Sequence, residues 1–430
     1  MSSKTKQKVV IVGGGFAGAS CAVSLEKYLG DPSVEIHLIN PTNYFIFYPL
    51  LMEAGTGSLQ PDHAVVALRS YLKKTQFHLA SLTQLDVSQK TILCHVTGTQ
   101  DRLDFQYDHL ILAMGSRPHL PEIPGLKDNG LTLKSLADAA TLRDRVVHFL
   151  ELADMCDDPA VRAELLHFVV VGGSFNGVEI AGELREFLHL AAKRYRRVQF
   201  SECRVTLIEK GPSLVAPLGP RLSAYAKDKM QQRGIDIHLG RSVEQVGEAS
   251  IQLDNGQKLS CRSVIWCAAI GPTPVQADLN LPVNTRGFLD CTADLRLRGH
   301  DAIWAIGDCA AIPDGTGRSY PPTAQHAVQE GRHLALNISR VLHSKTPLPC
   351  KVNYRGSIAQ LGYRCGVASL LGFRISGFFA WWLWHTLYLM KMPGWGRRLR
   401  IAADWTLGLL TRRDIVCLRP STRLGPRLRL

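Results

Sequence analysis

The chain has 430 residues, 46% of them hydrophobic, an ordinary globular composition that supports two or three domains, each with its own core. Its eleven cysteines are odd in number and scattered, with no Cys-x-x-Cys pair, which excludes a zinc-like spacing and any expected metal site and favours a reduced environment. The net charge of +13 calls for an anionic partner, and it is uneven: Lys391 to Leu430 holds ten Lys and Arg against Asp404 and Asp414, so the basicity is a C-terminal feature.

The polar stretch Met1 to Lys8 reads as neither a secretory signal nor a transit peptide, and the protein is expected to stay where it is made. It runs into Val9-Val10-Ile11-Val12-Gly13-Gly14-Gly15-Phe16-Ala17-Gly18, a β-branched strand ending in Gly-x-Gly-x-x-Gly. Such a turn frees the backbone to approach a pyrophosphate at a helix N-terminus. A helix is predicted over Ala19 to Leu29 and a strand over Val34 to Ile39, closed by Asn40 where such sites usually carry an acid for the ribose. Asn40 brings hydrogen bonds but no charge. Asn43 to Leu51 is aromatic and apolar and reads on its own as core. Leu110 to Ala113 is a buried strand pattern broken by Gly115 and Pro118, and Pro118 to Pro124 reads as a linker.

His167-Phe168-Val169-Val170-Val171-Gly172-Gly173-Ser174-Phe175-Asn176-Gly177-Val178-Glu179 repeats the opening, with Ser174 in the place of the second glycine. The following strand, Arg204 to Glu209, ends in the expected acid, which suits a free 2′-hydroxyl and so favours NADH over NADPH. Two such turns about 160 residues apart, each in its own strand-helix-strand unit, are hard to explain as chance. An Asn255-Gly256 hairpin follows, and Val264 to Gly271 closes the second unit. Ala302 to Ile306 returns to a strand ending in Gly307-Asp308, whose acid suits a ribityl chain or an ordinary turn. A helix is predicted from Pro321-Pro322-Thr323 through Leu342.

With both glycine turns, Ala305-Ile306-Gly307-Asp308 and Ala324-Gln325-x-Ala327-x-Gln329, the chain resembles the type II NADH dehydrogenases, single-chain FAD-dependent NADH:quinone oxidoreductases of the two-dinucleotide-binding-domain flavoproteins. The resemblance implies an α/β fold of two Rossmann-like domains, an FAD domain with an inserted NADH domain, and a C-terminal amphipathic membrane-anchoring segment. The expected boundaries are 1–125 and 285–350 for FAD, 126–284 for NADH and 351–430 for membrane association. By the same resemblance Gly13, Gly15, Phe16, Ala17, Gly18, Asn40, Pro49, Gly115, Asp308 and Ala324 fall to FAD. Gly172, Ser174, Asn176, Gly177, Glu209 and Gly271 fall to NADH. Phe47 to Leu51 looks like the segment that runs along the flavin. Glu179 and Gln325 are the expected catalytic residues, and Gln325 and Gln329 border the quinone. From the residues alone Glu179 reads equally as a solvated helix acid, and the two glutamines as surface. His326, a lone histidine, is given no role.

Residues 375–390 are apolar but too few for the roughly 20 that cross a bilayer. Tryptophans between 381 and 395, followed by Lys391, Arg397, Arg398 and Arg400, suit an interfacial anchor on anionic lipid; a homodimer or domain interface is the other covering. The expectation is therefore a peripheral protein on the cytoplasmic face of the cell membrane, in a respiratory chain, reducing a membrane quinone without pumping protons. A tryptophan-rich tail does not suit nucleic acid. A sulfide:quinone oxidoreductase is the nearest rival, with Cys156 and Cys350 as its candidate pair, and a membrane-attached flavoprotein with incidental NADH turnover is another.

Overall fold

The computed structural model describes residues 6–29, 33–410 and 415–417. In chain order, the elements that position the site begin with β1 (Gln7–Val12), α1 (Phe16–Tyr28), β2 (Val34–Asn40), α2 (Leu51–Gly55) and β3 (His109–Leu112). They continue with β4 (His167–Val171), α3 (Phe175–Ala192), β5 (Arg204–Glu209), β6 (Ser263–Trp266), β7 (Ile303–Ala305) and α4 (Ala324–Leu342). The chain then forms β8 (Gly356–Gln360), β9 (Gly366–Leu370), β10 (Phe373–Gly377), α5 (Phe378–Lys391) and α6 (Trp395–Leu410). Two compact units result. One gathers Met1–Ile46, Val65–Arg117 and Ile270–Tyr354, and the other Phe47–Ala64, Pro118–Ala269 and Arg355–Leu430.

The first unit is built on a seven-stranded sheet in the order β7, β3, β1, β2, Gln76–Asp86, Thr91–Val96, Arg102–Gln106. β1 runs parallel to β2, with Val9 opposite Ile36, and to β3, with Val9 opposite His109. Val9, Val10 and Ile11 are wholly buried, as a parallel strand covered on both faces requires. Each such side chain removed from water contributes about 1.5–3 kcal/mol, so β1 anchors the turn that follows it.

The second unit repeats the plan: Gly130–Thr132, β6, β4, β5 and Ile235–Leu239 form a parallel five-stranded sheet. All five residues of β4 are buried, including His167, whose ring nitrogens reach Ser260 O at 2.7 Å and Thr206 Oγ1 at 2.8 Å. The Asn255-Gly256 hairpin forms between Ser250–Leu253 and Lys258–Ser260, with Ile251 opposite Leu259.

In the same unit β8, β9 and β10 make an antiparallel sheet against which α5 packs. The apolar stretch 375–390 is therefore two elements: it ends β10, and the helix starts at Phe378. α5 has an inner face as well as an outer one, since Ala380 and Trp384 are fully buried. α6 was not foreseen as a separate helix. No helix among the described residues is long and apolar enough to cross a membrane. Residues 411–414 and 418–430, with six of the ten basic residues counted in the tail, lie outside the described residues.

Candidate functional site

The two glycine turns share one backbone plan. Gly13 and Gly172 leave their strands at φ +105° and +112°, a region that a side chain disfavours. Five residues on, a Cβ on Gly18 would lie 1.9 Å from Gly13 O, and one on Gly177 1.7 Å from Gly172 O, so only glycine lets the helix start this close to its strand. The residue that ends the neighbouring strand then grips the middle glycine. Asn40 Oδ1 accepts from Gly14 N at 2.8 Å, and Glu209 Oε2 accepts from Gly173 N at 2.5 Å. Asn40 Nδ2 donates to Thr42 O at 2.7 Å, while Glu209 Oε1 takes the Gly211 N–H. Asn40 thus fills the structural half of the position that Glu209 holds in the second unit, without the charge.

Both helix starts fit a phosphate group. Gly15 and Ser174 occupy the N-cap positions of α1 and α3 and neither caps its helix with a side chain. With no side-chain cap, the first turns of these helices, through Ala17 and Gly18 and through Asn176 and Gly177, present the positive end of the helix dipole. A Cβ on Gly15 would meet nothing within 4 Å, so that approach is open, and Ser174 and Asn176 are exposed. Gly13, Gly15, Phe16, Ala17, Gly18, Asn40, Gly115, Asp308 and Ala324 all belong to the first unit, and Gly172, Ser174, Asn176, Gly177 and Glu209 to the second. Pro49 falls in the second unit, in a 3-10 turn Tyr48–Leu50, and Gly271 in the first.

At the end of β7 Asp308 accepts from Ser116 Oγ at 2.9 Å, next to Gly115 at φ +70°. The Gly307 N–H donates to Glu330 Oε2 at 2.7 Å. Glu330 is 3% exposed, and burial pushes its carboxyl up to about 7 against the pull of that N–H, with Asp308 adding to the rise. Thr323 caps α4 by accepting from the His326 N–H, and its hydroxyl lies 2.6 Å from His326 Nδ1. Gln325 and Gln329 both donate Nε2–H to Asn353 O, at 3.3 and 3.1 Å, and Gln329 Oε1 accepts the Asn353 N–H. They clasp the segment after α4 rather than facing solvent freely.

Glu179 is not a solvated helix acid. It is buried on α3, and its Oε1 accepts from Trp384 Nε1 at 2.9 Å and Gln360 N at 3.2 Å. Burial pushes its carboxyl up to about 8; those two hydrogen bonds oppose the rise, and Glu53 and Glu183 reinforce it. Sequence reasoning passed over Glu53, Glu183, Trp384, His385 and Glu330. The four-residue step from Glu179 to Glu183 was a readable signal that both share one helix face. A lone histidine within the uncharged stretch 375–390 was another.

Two sheets, each carrying a parallel strand, a glycine turn and a helix without a side-chain cap, define a protein with two dinucleotide-binding units. The chain belongs to the pyridine nucleotide-disulphide oxidoreductase family, whose model matches residues 7–331, and an NDH2 C-terminal domain matches residues 354–414. It is similar to a probable NADH dehydrogenase of Dictyostelium discoideum, 27% identical over 95% of this chain and 91% of that one. It is also similar to the type II NADH:quinone oxidoreductase Ndh of Mycobacterium tuberculosis, 28% identical over 95% and 89%. The fold matches the structure of NDH2 from Plasmodium falciparum in complex with NADH at a TM-score of 0.89 and 21% identity, covering 96% of this chain and all of that one. A sulfide:quinone oxidoreductase from Aquifex aeolicus matches at 0.72 and 18%, covering 94% of each.

Proposed function

We propose that the chain is a non-proton-pumping NADH:quinone oxidoreductase of the type II class, using FAD. The observation that carries this reading is the NDH2 C-terminal domain at residues 354–414, joined to paired glycine turns of which the second ends on Glu209. Bound FAD would accept a hydride from NADH and return two electrons to a quinone. The open α1 N-terminus would hold the FAD pyrophosphate, with Asp308, steadied by Ser116, toward the ribityl chain. The α3 N-terminus would hold NADH, with Glu209 toward the adenosine ribose. Gln325 and Gln329 are read as bordering the quinone and Glu179 as holding a proton for it.

The thiols argue against the sulfide reading. Cys156 and Cys350 are both buried, and burial, with Glu330, pushes the Cys350 thiol up to about 12, far from the thiolate that sulfide chemistry needs. The exposed outer faces of α5 and α6, with Phe379, Trp382, Trp395 and Leu399, are read as facing lipid beside Lys391, Arg397, Arg398 and Arg400. Eleven free cysteines suit a reducing compartment, so we place that surface on the cytoplasmic face of the cell membrane. The test is anaerobic: the purified holoenzyme should show an oxidised flavin spectrum, bleach on NADH and recover on a soluble quinone. A flavin left oxidised by NADH, or bleached instead by sulfide, overturns the reading.

A further inference from the structure

Two helices of the second unit, α2 and α3, carry buried carboxyl groups: Glu53 on α2, and Glu179 and Glu183 one turn apart on α3. A carboxylate taken out of water is costly unless it is paired or hydrogen-bonded, so the partners define what each group is. Glu183 Oε2 accepts from Ser58 Oγ at 2.9 Å and Thr56 Oγ1 at 3.3 Å. Glu53 Oε2 accepts from the Trp405 indole N–H at 2.8 Å, and its Oε1 faces His385 Nε2 at 3.4 Å. His385 Nδ1 lies 3.0 Å from the Trp381 carbonyl, which can only accept. Both ring nitrogens therefore point at acceptors, and the imidazolium is the form that donates to both. Burial opposes that charge, but the hydrogen bond and charge of Glu53, the Trp381 carbonyl and Glu183 outweigh it and raise the His385 pKa.

Glu179 is held differently. Both of its hydrogen bonds fall on Oε1, from the neutral Gln360 N–H and Trp384 indole, and no cation is among its partners in the described residues. The titratable groups that reach it are Glu53 from α2, Glu183 from its own helix and Tyr388 from α5, whose phenol is itself raised by burial and by the Glu179 charge. Among the described residues Glu53 thus has a countercharge and Glu179 none, and the two acids are linked through adjoining rings: His385, which faces Glu53, lies against Trp384 with ring centroids 4.9 Å apart, and the Trp384 indole holds Glu179.

We propose that the Glu53–His385 ion pair governs when Glu179 carries a proton, which makes Glu53 and His385 positioning residues for the protonation of the reduced quinone. This rests on the quinone-reducing reading above. NADH, one solvent proton and a quinone give NAD⁺ and a quinol: the hydride brings two electrons and one proton, and the second proton comes from solvent. Glu179 supplies it by breaking its own O–H bond as an O–H bond forms on the quinone oxygen, and solvent reprotonates the carboxylate. The charge on Glu53 opposes the Glu179 anion and so hastens reprotonation; the His385 imidazolium balances that charge and keeps the site able to release its proton.

The test uses holoenzyme variants Glu53→Gln and His385→Gln, with turnover measured against pH on NADH and a soluble quinone. In Glu53→Gln the Glu179 anion loses its like-charged neighbour, and the alkaline limb of the kcat profile should move to lower pH by at least about 0.5 unit. In His385→Gln the Glu53 carboxylate, still held by Trp405, loses its balance, and the limb should move to higher pH. An unmoved limb in either variant, or both moving the same way, overturns the proposal. Should a variant be too inactive for kinetics, the infrared band of the protonated Glu179 carboxyl, assigned by its loss in Glu179→Gln, must titrate with the same opposite displacements, and equal midpoints overturn the proposal. Failure of quinone to reoxidise the flavin in the unmodified protein would instead defeat the underlying reading.

Discussion

Glu330 shows how one buried acid links pH to stability. Its carboxyl is raised from an ordinary 4.5 to about 7 because burial outweighs the Gly307 N–H, so the folded state holds the proton more tightly than the unfolded chain does. A raised carboxyl makes stability fall as pH climbs from about 4.5 to about 7, and the penalty is complete above that. Glu330→Gln keeps an oxygen for the Gly307 N–H and loses the charge. It should match the unmodified protein at pH 5 and exceed it at pH 8, by on the order of 1–3 kcal/mol. Thermal melts of both proteins at the two pH values check this; a difference that does not grow with pH removes Glu330 as the source. Nothing in Gln329-Glu330-Gly331 as a string announced the group, because its character comes from burial, which tertiary packing decides, with Gly307, more than twenty positions away in sequence, as its hydrogen-bond partner. Glu209 was legible by contrast: a strand end at fixed distance from a glycine turn is a local pattern. What it grips, the Gly173 N–H, follows from that pattern.

At the scale of elements, β-branched runs followed by glycine were enough to place β1, α1, β4, α3 and β5, because parallel strands are buried on both faces and only glycine allows the turn. The C-terminal region was less legible. Its apolar residues were read as one surface because an alternating strand and a half-buried helix both look apolar along the sequence. The structure instead uses α3 as a floor for β8, through a glycine. A Cβ on Gly182 would come 2.6 Å from the carbonyl carbon of Leu361 and 2.7 Å from the Gly362 nitrogen, both backbone atoms that cannot swing aside. Gly182→Ala should therefore push β8 off α3 and cost about 1–3 kcal/mol. Because β8 carries the Gln360 N–H that holds Glu179, the same substitution should also disturb quinone reduction more than flavin reduction by NADH. Stopped-flow comparison of the two half-reactions, alongside a melt, separates these effects; an unchanged melting temperature would mean that the helix and strand have slack the geometry does not show.

At the scale of the whole molecule, the proposed bilayer contact has to be made without a spanning helix among the described residues. α5, at 14 residues, is about 21 Å long, well short of the roughly 30 Å hydrocarbon core. Cutting the chain before α5 would not isolate the surface, because Trp384, His385 and Trp405 hold the buried carboxyls of Glu179 and Glu53. The outer residues can be changed alone. Phe379 is 72% exposed, Trp395 77% and Leu399 67%, while Trp384, Met392 and Ile401 are fully buried between them. Each exposed side chain that enters an interface contributes about 1.5–3 kcal/mol, so Phe379→Ser, Trp395→Ser and Leu399→Ser together should weaken binding to vesicles containing anionic lipid by at least about a hundredfold. FAD content and turnover on a soluble quinone should hold, since all three side chains are largely exposed. Raising salt should weaken the unmodified protein's binding further through Lys391, Arg397, Arg398 and Arg400. Undiminished vesicle binding by the triple variant would remove the outer faces of α5 and α6 from the membrane contact, and a fall from dimer to monomer on sedimentation would assign them to a second copy of the chain instead.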